Sequence, residues 1–349
     1  MAPPIPIENL YYLFCYAWGH FKEGSELAVD STKCSDLINL LGKVLVNGVS
    51  RLRRRGLERG YVTFEEEIAS VRGRINFGSS LKRTLLNSGK ASCIFDELDH
   101  DTPNNRIIRA TLTSLLRAES LDLDVRRDIR SIDHELTGIK LVRLQKSDFS
   151  RIQLHRNNIF YNLILNMCEL IYDLRLPAER AGRSKFADIL KDEVRMSAVF
   201  EEFVRNFYKA ERKVHKYEVV RRNIDWLATC TSDFDATYLP VMKTDMCLES
   251  SVRKIIIDTK FHKKTFDHQF DGANPKIKSP DLYQLFSYIT NAKPKTPDTV
   301  VLEGILLYPT IDEDLELSYL LNGDRVRVAT IDLSLNWQAI HDRLLGLVG

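Results

Sequence analysis

Asp245, Asp258 and Lys260 stand in the spacing Asp-x12-Asp-x-Lys. Side chains on a strand alternate between faces with period two. In the run Lys254 to Phe261, Asp258 and Lys260 therefore share a face, and Ile255, Ile257, Thr259 and Phe261 share the other. In the run Leu239 to Leu248, Asp245 falls with Val241 and Cys247, opposite Met242, Thr244, Met246 and Leu248. Two acids and a lysine can thus converge on one side of a sheet. The apolar lead-in Ile255-Ile256-Ile257 reads as a buried strand emerging at a polar site. Carboxylates are hard oxygen ligands suited to Mg²⁺, which keeps several waters and binds phosphate oxygens. The chemistry this trio would serve is metal-assisted phosphodiester hydrolysis. Asp245 and Asp258 would be ligands, the main-chain carbonyl of Thr259 would complete the shell, and Lys260 would position water or offset charge on the phosphate. The same spacing also fits an exposed cross-strand pair with Asp245 as a solvated turn residue.

Two helices supply neighbours for the trio. Met196, Val199, Phe200, Phe203, Val204, Phe207 and Tyr208 form an apolar stripe that leaves Glu201 at its edge and Glu202 on the solvated side. Glu201 is thus a further candidate metal ligand. In the 281–292 helix, Leu282, Leu285, Phe286 and Ile289 form the core face, while Asp281, Gln284 and Tyr288 share another, with Gln284 as the site residue. Residues 205–222 carry seven Lys/Arg against two acids, and residues 251–278 carry seven against three, so the flanks of the site are positive in a chain of net charge only +2. Arg221, Arg222, Lys263 and Lys264 are the candidate contacts to the phosphates of a DNA duplex. His262 and His268 read as surface histidines.

Other chemistries are excluded. The segment Asn87-Ser-Gly-Lys-Ala-Ser resembles the end of a phosphate-binding loop, but position 84 is Thr where Gly is needed and Ala91 follows the lysine. No GxSxG, HExxH or GxGxxG motif occurs, and the six cysteines are scattered singly, which favours a reducing cytoplasm. The start Met-Ala-Pro-Pro-Ile-Pro lacks the cationic region of a signal peptide, and no run approaches the ~20 apolar residues that span a bilayer.

The length of 349 residues suggests two domains. Helical spacing marks Leu10 to Trp18 and Leu37 to Leu52, the second capped by Ser35 and ending in Arg53-Arg54-Arg55-Gly56. Strand-like pieces follow over 61–97, then a helix opened by Thr102-Pro103. The seam falls near Gln145 to Arg151, giving an α+β domain over 1–150 and an α/β domain with a mixed central sheet over 151–349. In the second, Asn322-Gly323 marks a hairpin turn.

A set of motifs in fixed order resembles the McrC family, the nuclease subunits of McrBC-type GTP-dependent restriction systems directed at modified cytosine. They are Ile5-Pro-Ile-Glu-Asn-Leu-Tyr-Tyr, Tyr16-Ala-Trp-Gly, Gly73-Arg-Ile, Asp101-Thr-Pro-Asn-Asn-Arg-Ile-Ile, Thr244-Asp245, Ile257-Asp-Thr-Lys260, Leu282-Tyr-Gln-Leu and Leu307-Tyr-Pro. The resemblance implies a carboxy-terminal PD-(D/E)xK domain whose motif is Asp245, Asp258 and Lys260, with Thr244 in place of the motif's proline. It also implies an AAA+ GTPase partner of the McrB kind, which binds the GTP, and which the amino-terminal part of this chain stimulates. Arg72, Arg74, Lys82 and Arg83 are the residues expected to contact it, against the plainer reading that Arg72 and Arg74 flank a turn and solubilise a hairpin. Two rivals remain at this point: a regulatory activator with a decayed nuclease, which the intact trio opposes, and a self-sufficient nuclease without a motor.

Overall fold

The computed structural model describes residues 5–27, 34, 36–153, 159–177, 184–186, 189–229, 233–262, 276–311 and 314–349. Contacts divide the chain into two compact units, Glu26–Ala187 and a second composed of Met1–Ser25 with Asp188–Gly349. The boundary expected near residue 150 is thus replaced by two crossings, and packing explains both. The helix Ile7–Ala17 lies on the long helix Glu193–His215, where Tyr16 stacks on Trp337 at 5.5 Å. Asn9 donates to the carbonyls of Leu333 at 2.8 Å and Leu335 at 2.7 Å, and Asn206 donates to those of Tyr16 and Ala17 at 3.0 Å. The amino-terminal motif is therefore an integral part of the carboxy-terminal unit. At the other crossing, the helix Ile159–Leu174 belongs to the first unit because Leu163, Ile164, Met167 and Ile171 bury there among helical neighbours.

The Glu26–Ala187 unit packs the helices Leu37–Arg55, Pro103–Leu115, Leu123–Glu135 and Ile159–Leu174 together. Ser35 lies outside the described residues, and Asp36 caps the first of these helices by accepting from the Asn39 amide at 2.9 Å. Thr102 and Pro103 open their helix as the sequence predicts. Asp101 pairs bidentately with Arg106 at 2.7 and 2.8 Å, and Asn105 takes up the carbonyls of Glu58 and His100, which gives the Asp101-Thr-Pro-Asn-Asn-Arg motif its structural meaning. A three-stranded antiparallel sheet has Ala91–Asp99 between Gly60–Ile68 and Arg74–Ile75. Gly73 has φ +66°, and a Cβ there would meet the Ile94 carbonyl at 2.4 Å, so glycine is required.

The second unit is built on a six-stranded mixed sheet in the order Glu316–Leu321, Asp324–Asp332, Val301–Thr310, Arg253–Thr259, Met246–Glu249, Glu218–Val220. Asp324–Asp332, Val301–Thr310 and Arg253–Thr259 run parallel, and the flanking pairings are antiparallel. Asn322 and Gly323, at φ +52° and +85°, form the hairpin turn between the first two strands of that order. The helix Ser279–Ala292 carries the crossover between the two central parallel strands and buries Leu285 and Ile289 against Ile256, Leu306 and Val328. One expected strand is broken. Met242–Lys243 pairs with Asn223–Ile224, while Met246–Glu249 joins the main sheet. The interruption at Thr244-Asp245 puts Met242 in the same core cluster as Cys247 and Ile256, not on a common face with Met246. Among the described residues, no helix is long and apolar enough to cross a membrane.

Candidate active site

The strand Arg253–Thr259 is buried through Ile255, Ile256, Ile257, Asp258 and Thr259, so its carboxyl end delivers Asp258 directly from the core. Met246 pairs with Ile257 in antiparallel register, which sets Asp245 opposite Asp258 one step beyond the ladder. Asp245 Oδ2 accepts from both the amide and the hydroxyl of Thr259 at 2.8 Å. Those two donors fix the carboxylate and use only one of its oxygens. The chain break at Thr244 serves this placement: Arg222 and Thr244 exchange hydrogen bonds through Thr244 N and Oγ1 at 3.0 Å, which turns Asp245 toward the strand end.

Asp258 is fully buried, and its Oδ1 has no hydrogen-bond partner among the described residues. Lys260 Nζ pairs with its Oδ2 at 2.8 Å. Burial, reinforced by the charge of Asp245, pushes the Asp258 carboxyl up to about 7, against the opposing pull of Lys260. Burial works against the Lys260 charge, but the carboxylates of Asp258, Asp245 and Asp281 outweigh it and hold the ammonium above its ordinary value. Lys260 Nζ donates to Gln284 Oε1 at 2.7 Å, Gln284 Nε2 donates to Tyr288 Oη at 2.7 Å, and Tyr288 donates to the Lys243 carbonyl at 2.9 Å. The amine is thus oriented by a relay that begins on the crossover helix, as the shared face of Gln284 and Tyr288 predicts.

Glu201 is raised by burial and by the charge of Asp245, which places its carboxyl in the field of the site. Arg221 donates to both Glu201 and Glu202, and its Nε donates to the Asp245 carbonyl at 3.3 Å. Glu202, expected to be solvated, is also paired with Arg205. Arg222 holds Glu249 at 2.5 Å. Both arginines assigned to DNA are therefore engaged with carboxylates of the same unit, and Lys263, Lys264 and His268 lie outside the described residues. His262 departs from the expected surface role: its Nε2 lies 3.0 Å from Oδ2 of the buried Asp281, which also accepts from Tyr308 at 2.9 Å.

In the other unit, Arg72 pairs with Glu97 at 3.2 Å and lies over the Phe95 ring at 4.6 Å, while Arg83 pairs with Glu67 at 2.6 Å. Arg74 and Lys82 are exposed.

No group of three or more His, Cys, Asp or Glu side chains able to hold a metal occurs among the described residues. A two-carboxylate set remains, and one of its members is a fully buried acid whose Oδ1 has no hydrogen-bond partner among the described residues. Mg²⁺ needs only one or two carboxylates because it retains waters and takes oxygens from phosphate, so Asp245 and Asp258 fit it.

The family model described as McrBC 5-methylcytosine restriction system component matches residues 8–309. The chain belongs to the McrBC family. Within that family, the Type IV methyl-directed restriction enzyme EcoKMcrBC of Escherichia coli (strain K12) is 33% identical over 345 residues, covering 99% of this chain and 97% of the relative. Membership makes this chain a component of a restriction system. The fold agrees with a solved McrC chain from a refined half-complex of a tetradecameric assembly of Thermococcus gammatolerans McrB AAA+ hexamers with bound McrC. That likeness has a TM-score of 0.59 at 16% identity, covers 99% of this chain and 76% of the other, and is one of fold.

Proposed function

We propose that this McrBC-family chain is a Mg²⁺-dependent DNA endonuclease of the PD-(D/E)xK type, with Asp245, Asp258 and Lys260 as its motif. The observation that carries the reading is a fully buried Asp258 with Oδ1 unpartnered and Oδ2 paired with a lysine held in place from a second element. A purely structural carboxylate at zero exposure would have both oxygens satisfied, because an unsatisfied buried polar atom costs about 1–3 kcal/mol. Asp245 and Asp258 would hold the ion, with the Thr259 carbonyl as a further oxygen donor and Glu201 joining them on release from Arg221. Bound there, Mg²⁺ supplies a water of lowered pKa and charge stabilisation at the phosphate. Thr259 orients Asp245 through two hydrogen bonds and leaves Oδ1 uncommitted by them. Lys260, steered by Gln284, offers its ammonium to the phosphate oxygens on which negative charge grows.

The chain works with an AAA+ GTPase of the McrB kind on double-stranded DNA in the cytoplasm, and the partner binds the GTP. Three observations support this: the solved Thermococcus gammatolerans assembly of like fold is one of McrB AAA+ hexamers with bound McrC, the family is that of a 5-methylcytosine restriction system, and the segment at Gly89-Lys90 departs from a phosphate-binding loop at two positions. Arg72, Arg74, Lys82 and Arg83 contact the partner in this reading.

The test is cleavage of methylated duplex with Mg²⁺ and GTP, with and without the GTPase. Lys260→Ala should lower the cutting rate by at least ~10²–10³-fold while the protein remains folded. Normal cutting by a well-folded Lys260→Ala protein refutes the site.

A further inference from the structure

We infer that His262 is a DNA-phosphate contact of this site, a binding residue held ready by Asp281 and Tyr308. The inference rests on the nuclease reading of Asp258 and Lys260. Lys260 and His262 follow the end of the strand, and the crossover helix answers both in turn: Gln284 takes Lys260 at 2.7 Å and Asp281 takes His262 at 3.0 Å. Asp281 is 7% exposed, and its Oδ2 accepts from Tyr308 at 2.9 Å. A carboxylate in that position accepts the Nε2 proton of the imidazole and so fixes which nitrogen remains for another partner. Nδ1 has no hydrogen-bond partner among the described residues, and the ring is 28% exposed.

A histidine serving packing alone has no need of a buried acid that locks one nitrogen and leaves the other free. The held ring instead leaves Nδ1 open to a ligand at the rim. The groups beside it are Asp281 from the helix and Tyr308 from the neighbouring parallel strand. Gln284 and Asp281 stand about 5 Å apart along the helix, so the two side chains they hold stand about one helical turn apart. A ligand meeting both presents anionic groups in a row, as a nucleic-acid strand does, so the occupant is the phosphate beside the one being cut.

The experiment compares His262→Gln, His262→Ala, Asp281→Asn and Lys260→Ala in the full chain with its GTPase partner, measuring cleavage rate against DNA concentration at several salt concentrations. His262→Gln keeps an amide donor for Asp281 and loses the ring nitrogen offered to the phosphate. It should raise KM for DNA about five- to tenfold with kcat within about twofold, and make log(kcat/KM) shallower against log[salt] by about one. Asp281→Asn should move KM and slope in the same direction, while thermal unfolding of His262→Gln stays near wild type. Unchanged KM and slope in a folded His262→Gln protein overturn the inference, and so does a loss confined to kcat. Lys260→Ala keeps the two readings separate: if it abolishes cutting while His262→Gln behaves as wild type, the nuclease site stands and the His262 contact falls. If Lys260→Ala cuts normally, the nuclease reading itself fails.

Discussion

At the rim of the six-stranded sheet, the charges of Asp258 and Lys260 are withdrawn from water and matched mainly to one another. On the three-stranded sheet of the other unit, Arg72 and Arg83 are 55% and 65% exposed, each beside a glutamate that is itself 40% exposed or more. The first arrangement is costly to the fold, since both ions are desolvated and one carboxylate oxygen has no donor. The second costs almost nothing, because exposed ion pairs contribute roughly 0–1 kcal/mol and reopen readily. Charge held at a cost is suited to chemistry on a bound phosphate. Charge held loosely on a surface is suited to exchanging one partner for another.

Stability against pH should sharpen that contrast most. Asp258 is raised to about 7, so the native state prefers its neutral carboxyl. The stability this brings is complete below the unfolded value near pH 4 and is lost as the pH rises through about 7. Without divalent metal, wild-type protein should therefore lose about 3 kcal/mol more stability between pH 5 and pH 8 than Asp258→Asn does. Adding Mg²⁺ at pH 8 should return stability to wild type and not to the variant. Urea unfolding in EDTA at the two pH values measures this, and parallel profiles for the two proteins would contradict the account of Asp258 as a strained ligand.

The next effect is smaller. Gln284→Ala removes the acceptor that steers Lys260 and cuts the relay to Tyr288 and the Lys243 carbonyl. The ammonium keeps its ion pair with Asp258, so the loss should be that of one hydrogen bond to a charged group, about 1.5 kcal/mol, or roughly tenfold in cleavage rate. Tyr288→Phe, one bond further away, should cost less than Gln284→Ala. Equal rates for wild type and Gln284→Ala under single-turnover conditions would remove the relay from the site.

Much of this site was legible in the sequence because the period of a strand is local information. Alternation alone puts Asp258 with Lys260, and an apolar run ahead of them implies burial. The facing of Gln284 and Tyr288 follows from helical spacing in the same way. What the sequence did not reveal depends on long-range packing. The assignment of Ile7–Ala17 to the carboxy-terminal unit rests on Asn9 reaching carbonyls more than 300 residues away. The strand break at Thr244 rests on hydrogen bonds with Arg222. The buried partner of His262 lies across the connection to the next helix, which no local pattern encodes. The positive character of 205–222 was read correctly as composition, but pairing of Arg205, Arg221 and Arg222 with Glu201, Glu202 and Glu249 spends much of it within the unit.

The smallest structural effect and the most selective functional one should come from the exposed sheet. Arg72→Ala with Arg74→Ala removes one half-exposed ion pair, one ring contact over Phe95 and a free surface arginine, so stability should change by no more than about 0.5 kcal/mol. Gly73, whose positive φ and contact with the Ile94 carbonyl define the turn, is untouched, so the arginines can be removed without disturbing the backbone that presents them. If these residues meet the GTPase, the double variant should reduce stimulated GTP hydrolysis and the cleavage that depends on it. An arginine can do this by offsetting charge on the transferring phosphoryl group or by pairing with acids that order the partner's site. Asp258→Ala should have the converse effect, abolishing cleavage and sparing the stimulation of GTP turnover. Measuring GTP hydrolysis and DNA nicking side by side on both variants decides between partner contact and a hairpin that is merely solubilised. Full GTPase stimulation by the Arg72/Arg74 double variant supports the hairpin reading, and loss of stimulation by a folded Asp258→Ala protein would show that one surface serves both tasks.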